Sequence, residues 1–233
     1  MLSFFDHLRR QIGGQSKEIF AWNRSINRES LEQERLLNQP WDQLLVSAID
    51  SETTGFHPEA GDEMISVAAV KWKGVRVEVP FHSYIQIEKT LPPHITELTG
   101  IEESDLSGAP SIQIVIQDFL KYVDSTVLIG YYIGHDISFL NYFLWKKFRT
   151  RINHRVLEVK TIIELLYPQW ESFSFDDLCE TLGIVNTGRH TAIGDALAVA
   201  ELWSQLVQKL DQVGIHHLAG LYEQLAQHRR GKG

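Results

Sequence analysis

The hydrophobic positions of this chain change period along its length, and the changes mark out its elements. Leu44-Leu45-Val46-Ser47-Ala48-Ile49 is an apolar run that predicts a buried strand. Met64 to Trp72 predicts a second strand and Lys73-Gly74 a turn. Val75 to Ile87 alternates with period two as a third strand, so the three form an antiparallel meander. Leu91-Pro92-Pro93 breaks it, and a short helix is predicted over His94 to Leu98, ahead of Thr99-Gly100-Ile101. Pro110, followed by Ile112, Val115, Ile116, Phe119 and Leu120 at helical spacing, predicts an amphipathic helix. Val127 to Tyr131 is a buried strand, and Asp136 begins a helix with Ile137, Leu140, Phe143 and Leu144 on one face. Val156 to Val159 is a short fifth strand, and the remainder is mostly helical to about Gln227. Hairpin strands followed by strands alternating with helices predict an α/β fold. Its mixed five-stranded sheet, an antiparallel meander and then parallel strands, is flanked by helices.

Residues 1–40 break from this pattern. They are rich in Arg, Glu, Gln and Asn, with short helical patterns at Phe4 to Leu8 and at Leu31, Leu36 and Leu37. They predict an N-terminal helical arm ending near Pro40, packed on the domain or serving a partner. The main domain is expected over 41–210, and a C-terminal helix and tail over 211–233, with Arg229-Arg230-Gly231-Lys232 as a frayed end.

Composition narrows the classes. Hydrophobic residues make up 43% and charged residues 22%, ordinary for a soluble domain. No apolar stretch approaches the ~20 residues of a bilayer span. Met1 to Gly14 lacks the apolar core of a secretory signal. The one cysteine, Cys179, cannot form an intrachain disulfide and sits in an apolar-periodic stretch, where packing is its expected role. The expected location is cytoplasmic, with no membrane partner. A net charge of −8 argues against a passive coat of duplex DNA, which is dominated by phosphate neutralisation. It leaves room for an enzyme that meets phosphates through metals and a local basic patch. The one basic cluster, Lys146 to Arg155, either guides a phosphate backbone or is a solvated helix C-terminus.

The candidate chemistry lies where the first strand ends, in Asp50-Ser51-Glu52-Thr53-Thr54-Gly55. Side chains alternate along a strand, so Asp50 and Glu52 point to one side. Two like charges there require a proton or a cation, which makes the pair a candidate site for a hard divalent metal; a solvated strand end is the alternative. Asp136 falls after the Val127 strand and Asp195 in the first turns of a helical run, with His190 five residues earlier. Taken singly, Asp136 and Asp195 read as acids favoured by a helix N-terminus.

Taken in order, these motifs resemble the DEDDh, DnaQ-like 3′–5′ exonucleases, the family of the DNA polymerase III epsilon subunit and RNase T. The resemblance covers about Gln43 to Leu206. Leu91-Pro92-Pro93 with Thr99-Gly100-Ile101 agrees with it, as does the run from Ser174 to Ile184. The family pattern His-Asn-x-x-Phe-Asp meets Tyr131-Tyr132-Ile133-Gly134-His135-Asp136 here. In that register Asp136 is the acid, and Tyr131 and His135 replace the usual His and Phe. The resemblance implies a ribonuclease H-like sheet and two Mg²⁺ or Mn²⁺ ions held by Asp50, Glu52, Asp136 and Asp195, with Asp50 bridging. It also implies His190 as general base. Thr53, Gly55, Phe56, Tyr131 and His135 would contact substrate, Phe56 wedging against the terminal base. The implied substrate is the 3′ end of single-stranded or frayed nucleic acid, DNA favoured over RNA. RNase T-like trimming of RNA and a noncatalytic nucleic-acid-binding or polymerase-accessory module are the other readings, the resemblance implying a polymerase or repair partner for residues 1–40.

Overall fold

The computed structural model of the chain describes residues 34–74 and 76–231. Most of the expected N-terminal arm lies outside them. Its end is helical over 34–38, and Pro40 forms a bridge with His217.

The sheet has strands β1 (Val46–Thr53), β2 (Met64–Lys73), β3 (Arg76–Val77), β4 (Phe81–Tyr84), β5 (Val127–Gly130) and β6 (Val156–Glu158). Central β1 runs antiparallel to β2 and parallel to β5, and β6 is parallel to β5 at the far edge. The expected third strand is broken in two, so the sheet counts six strands instead of five. Both pieces pair with β2, as one interrupted edge. Pro80, with no N–H to give a ladder, lies in the break. The Tyr122 hydroxyl fills the gap, accepting from the Lys71 N–H (3.1 Å) and donating to the Val79 carbonyl (3.0 Å).

The helices are α1 (Pro93–Thr99), α2 (Glu103–Ser107), α3 (Ile112–Tyr122), α4 (Gly134–Phe148), α5 (Val159–Leu166), α6 (Phe175–Leu182), α7 (Ala192–Gln212) and α8 (Leu218–Gly231). They cover both faces, and the alternation along β1 decides which side chain meets which helix. Val46 and Ala48 face a core shared with α5, α6, α7 and α8. Ile49 faces the opposite core, built with α3 and α4. Cys179 is buried in the first of these, as its periodicity predicts. The C-terminal helix is part of the same core. Leu218, Leu221 and Leu225 of α8 are buried there, and the Trp41 indole N–H donates to the Ile215 carbonyl at 2.7 Å. The tail expected to fray is helical as far as Gly231.

Candidate active site

Asp50 and Glu52 extend the Val46–Ala48 face of β1, the face covered by α7. Asp195, in the first turn of α7, enters from above. One carboxylate oxygen from each of Asp50, Glu52 and Asp195 lies within 4.8 Å of the others. Opposite the acids, β2 presents Ala68 to Asp50 and Ser66 to Glu52, small residues that leave the space open. A bulge between Glu52 and Thr53 ends the regular ladder at that point. Bulges commonly re-aim side chains beside active sites.

Asp136 reaches the same end of the sheet from the other side. Ser51, between the two acids in sequence, points to the α4 face, and its hydroxyl donates to Asp136 Oδ1 at 2.5 Å. The fourth acid is therefore held through Ser51 and stands outside the three-oxygen group, while still close enough to act on Asp50 by charge.

The charges are incompatible with one another in the absence of a cation. Although Asp50 and Glu52 keep some exposed surface, burial is the largest cause that raises both. Asp136, Glu52 and Asp195 raise Asp50 further, well above the usual carboxylate range. Glu52 is pushed up to about 8, by burial first and then by Asp195 and Asp136. Burial also raises Asp136, against the opposing pull of the Ser51 hydrogen bond. Among the described residues, Arg189 is the cation that lowers Asp50 and Glu52. Its Nη1 bonds Asp195 Oδ2 and its Nε bonds Asp176 Oδ1, both at 2.6 Å. Asn186 donates to the other Asp195 oxygen at 2.6 Å. Asp176 is presented by the first turn of α6, whose Ser174 and Asp177 form a capping box.

Ser51, Asn186 and Arg189 are the members of this site that sequence reasoning missed. Only Arg189 carried a signal, as a cation next to His190 and close in sequence to Asp195.

His190 sits just before α7 with a left-handed φ of 60°. Its backbone N–H donates to Asp195 Oδ2 at 3.3 Å, and its Nδ1 lies 3.3 Å from Arg189 Nη1. Thr191 caps α7 by accepting from the Gly194 N–H.

The residues expected at the substrate divide into two places. The Thr53 hydroxyl donates to the Gly55 carbonyl at 2.7 Å and lies 3.1 Å from His135 Nε2. The His135 ring meets Phe56 edge-on, with centroids 5.5 Å apart, and Phe56 is 78% exposed, which rules out core packing for it. Gly55 leaves room for Asp62, whose carboxylate would lie 2.3 Å from an added Cβ. Tyr131 stands apart from this group. Its ring packs on Phe175 and its hydroxyl donates to the Phe173 carbonyl at 3.3 Å.

Metal-free protein should lose stability as pH rises through neutrality. A carboxyl whose folded pKa is raised stabilises the fold below its ordinary pKa and loses that contribution up to its folded pKa. For Glu52 that interval runs from 4.5 to about 8. His82, His135 and His154 are lowered by burial and oppose the trend only below about 6.5. The expected result is a Tm in EDTA that falls by several degrees between pH 6.5 and 8, on the order of 1 kcal/mol per pH unit. Added Mg²⁺ should remove the fall, and Glu52→Gln should lessen it, the raised Asp50 keeping the remainder. A flat EDTA profile in the wild type would refute the charge crowding.

Comparison with known proteins agrees with this architecture. An exonuclease family model, of the RNase T type, matches residues 47–203. The chain is 31% identical to the DNA polymerase III subunit epsilon of Aquifex aeolicus, over 70% of this chain and 80% of that protein. It is also 31% identical to a PolC-type DNA polymerase III of Caldanaerobacter subterraneus, over 71% of this chain but only 12% of that much longer protein. Among solved structures, the nuclease domain of 3′hExo, a DEDDh family member bound to rAMP, superposes with a TM-score of 0.64. That match has 18% identity and covers 77% of this chain and 96% of that domain, a likeness of fold.

Proposed function

The chain belongs to the DnaQ-like DEDDh exonuclease family, and from that membership we propose that it is a divalent-metal-dependent 3′–5′ exonuclease. It removes nucleoside 5′-monophosphates from single-stranded or frayed 3′ ends, DNA in preference to RNA. The observation that carries this reading is the convergence of Asp50, Glu52 and Asp195 within 4.8 Å at the end of β1.

The donor set fits the metal. All its atoms are carboxylate oxygens, the ligands preferred by Mg²⁺ and Mn²⁺, and a divalent cation would offset the burial and mutual repulsion that raise Asp50 and Glu52. Asp50, Glu52 and Asp195 would hold the ions, with Asp136 joining from the α4 side. Two such ions, when bound, activate water and stabilise a leaving 3′-oxygen.

The protein's own groups do the rest. His190 is the general base, and its geometry sets a condition on that role. A guanidinium donor at Nδ1 favours the tautomer with the proton on Nε2, so accepting a proton at Nε2 requires the Arg189 contact to open. Thr53 and His135 line the terminal nucleotide, and exposed Phe56 offers an unpaired base a stacking surface. Tyr131 acts from the Phe175 side of the crevice. The preference for DNA rests on relatives that are DNA polymerase III proteins. A noncatalytic module would have no need of acids crowded at such electrostatic cost. Residues 1–40 remain the candidate docking arm, and the expected location is the cytoplasm.

The test is 5′-labelled single-stranded DNA and RNA of one sequence, incubated with Mn²⁺ or EDTA. We expect laddering from the 3′ end that requires Mn²⁺ and is faster on DNA. Equal laddering in EDTA would overturn the metal dependence, and faster cleavage of RNA would overturn the substrate preference.

A further inference from the structure

The basic cluster that begins in the last turn of α4 is not used by the site described above, and its surroundings give it a role. Lys146, Lys147, Arg149, Arg151 and Arg155 fall within ten residues that contain no acid, in a chain whose net charge is −8. Aromatic rings alternate with these cations. Trp145 is 49% exposed, with the guanidinium of Arg149 5.7 Å and that of Arg151 5.5 Å from its ring centroid. Lys146 Nζ stands 5.4 Å from the Tyr142 ring centroid. At 100° per residue, His135, Tyr142, Trp145 and Lys146 occupy one stripe of α4, and Arg149 follows as its C-cap with a left-handed φ of 56°. His135, at the head of the stripe, touches Phe56 and Thr53. Between the two ends, Tyr142 and Lys146 line a cavity of about 270 Å³, together with Lys89 and Phe139.

We infer that this stripe of α4 is the track for the single strand on the 5′ side of the terminal nucleotide. The inference rests on the exonuclease reading for its polarity. Cations beside exposed rings are the combination that holds single strands, phosphates by charge and bases by stacking. A solvated helix end explains the cations but not an exposed Trp145 with two guanidinium groups beside its ring. The helix rises ~1.5 Å per residue, so Trp145 lies ~15 Å from His135. At the ~3.4 Å spacing of a stacked strand this is about four nucleotides, beyond the reach of a dinucleotide.

The test is the affinity of 5′-fluorescein-labelled (dT)₁₂ by anisotropy in Ca²⁺ over a series of salt concentrations, for the wild type, Trp145→Ala and the double variant Lys146→Gln/Arg149→Gln. All three positions are exposed, and circular dichroism verifies the fold. Trp145→Ala should weaken binding about tenfold, within the range of one lost base stack. The double variant should reduce the slope of log K against log salt by about 1.4, at ~0.7 per phosphate contact for single strands. The ratio of kcat/KM for (dT)₁₂ over (dT)₂ should fall with the same variants. Wild-type affinity and slope in both variants would overturn the track. A wild type that binds through α4 but cleaves neither substrate would overturn the exonuclease reading and leave the track standing.

Discussion

Asp50→Asn is expected to reduce metal-dependent turnover by a factor on the order of 10³ or more, and to make the metal-free protein more stable. The first effect follows from the position of Asp50 between the two halves of the site. It shares the three-oxygen group with Glu52 and Asp195, and among its neighbouring charges Asp136, from the other side of the sheet, acts on it most. On the proposed metal reading, loss of Asp50 as a ligand forfeits several kcal/mol of transition-state stabilisation, and each ~1.4 kcal/mol is a factor of ten. The second effect follows from the same crowding. Burial, Asp136, Glu52 and Asp195 all disfavour the Asp50 carboxylate, and the isosteric amide removes that charge without emptying the space. In EDTA at pH 8 the variant should melt a few degrees above the wild type, an exchange of stability for activity typical of strained sites. Activity is read on labelled DNA with Mn²⁺, and stability by thermal unfolding. A variant that is inactive and also less stable in EDTA would show that Asp50 supports the fold in some way the charges do not describe.

Gly194→Ala is expected to cost about 1–3 kcal/mol or more, which corresponds to roughly 5 °C in Tm, and to lower turnover with it. A Cβ at Gly194 would lie 2.1 Å from the Gly188 carbonyl oxygen and 2.6 Å from the Gly188 Cα. Those are backbone atoms, so the segment from Gly188 to Thr191 must move as a whole. That segment carries Arg189, which holds Asp195, and His190, whose N–H also meets Asp195. Its conformation is tied further by the Thr191 hydroxyl, which donates to the Gly188 carbonyl at 2.6 Å. Gly134→Ala is the control. Gly134 opens α4 and has nothing within 4 Å of an added Cβ, so its substitution should leave Tm within about a degree. Equal Tm values for Gly194→Ala and the wild type would mean that the two backbones do not need to touch.

Much of this site was legible before folding because its information is local. A period of two puts Asp50 and Glu52 on one side of β1 whatever surrounds the strand, and helical spacing puts Asp195 at the head of α7. Cys179 packs where its periodicity places it. The third strand was misread as continuous because alternation persists through Pro80. What ends a strand there is a missing N–H, and what repairs it is a hydroxyl from α3.

Which acids this protein has, their order, and the alternation that aims two of them together are all written along the chain. How those acids are held depends on the folded molecule. Ser51 faces away from Asp50 and Glu52 by the same alternation, and so meets Asp136 across 85 positions of chain. Arg189 bridges Asp176 and Asp195 only because α6 and α7 are packed side by side. Periodicity is set by bonds within a segment, whereas these pairings depend on which faces of distant segments are buried against each other, and that is settled only when the core closes.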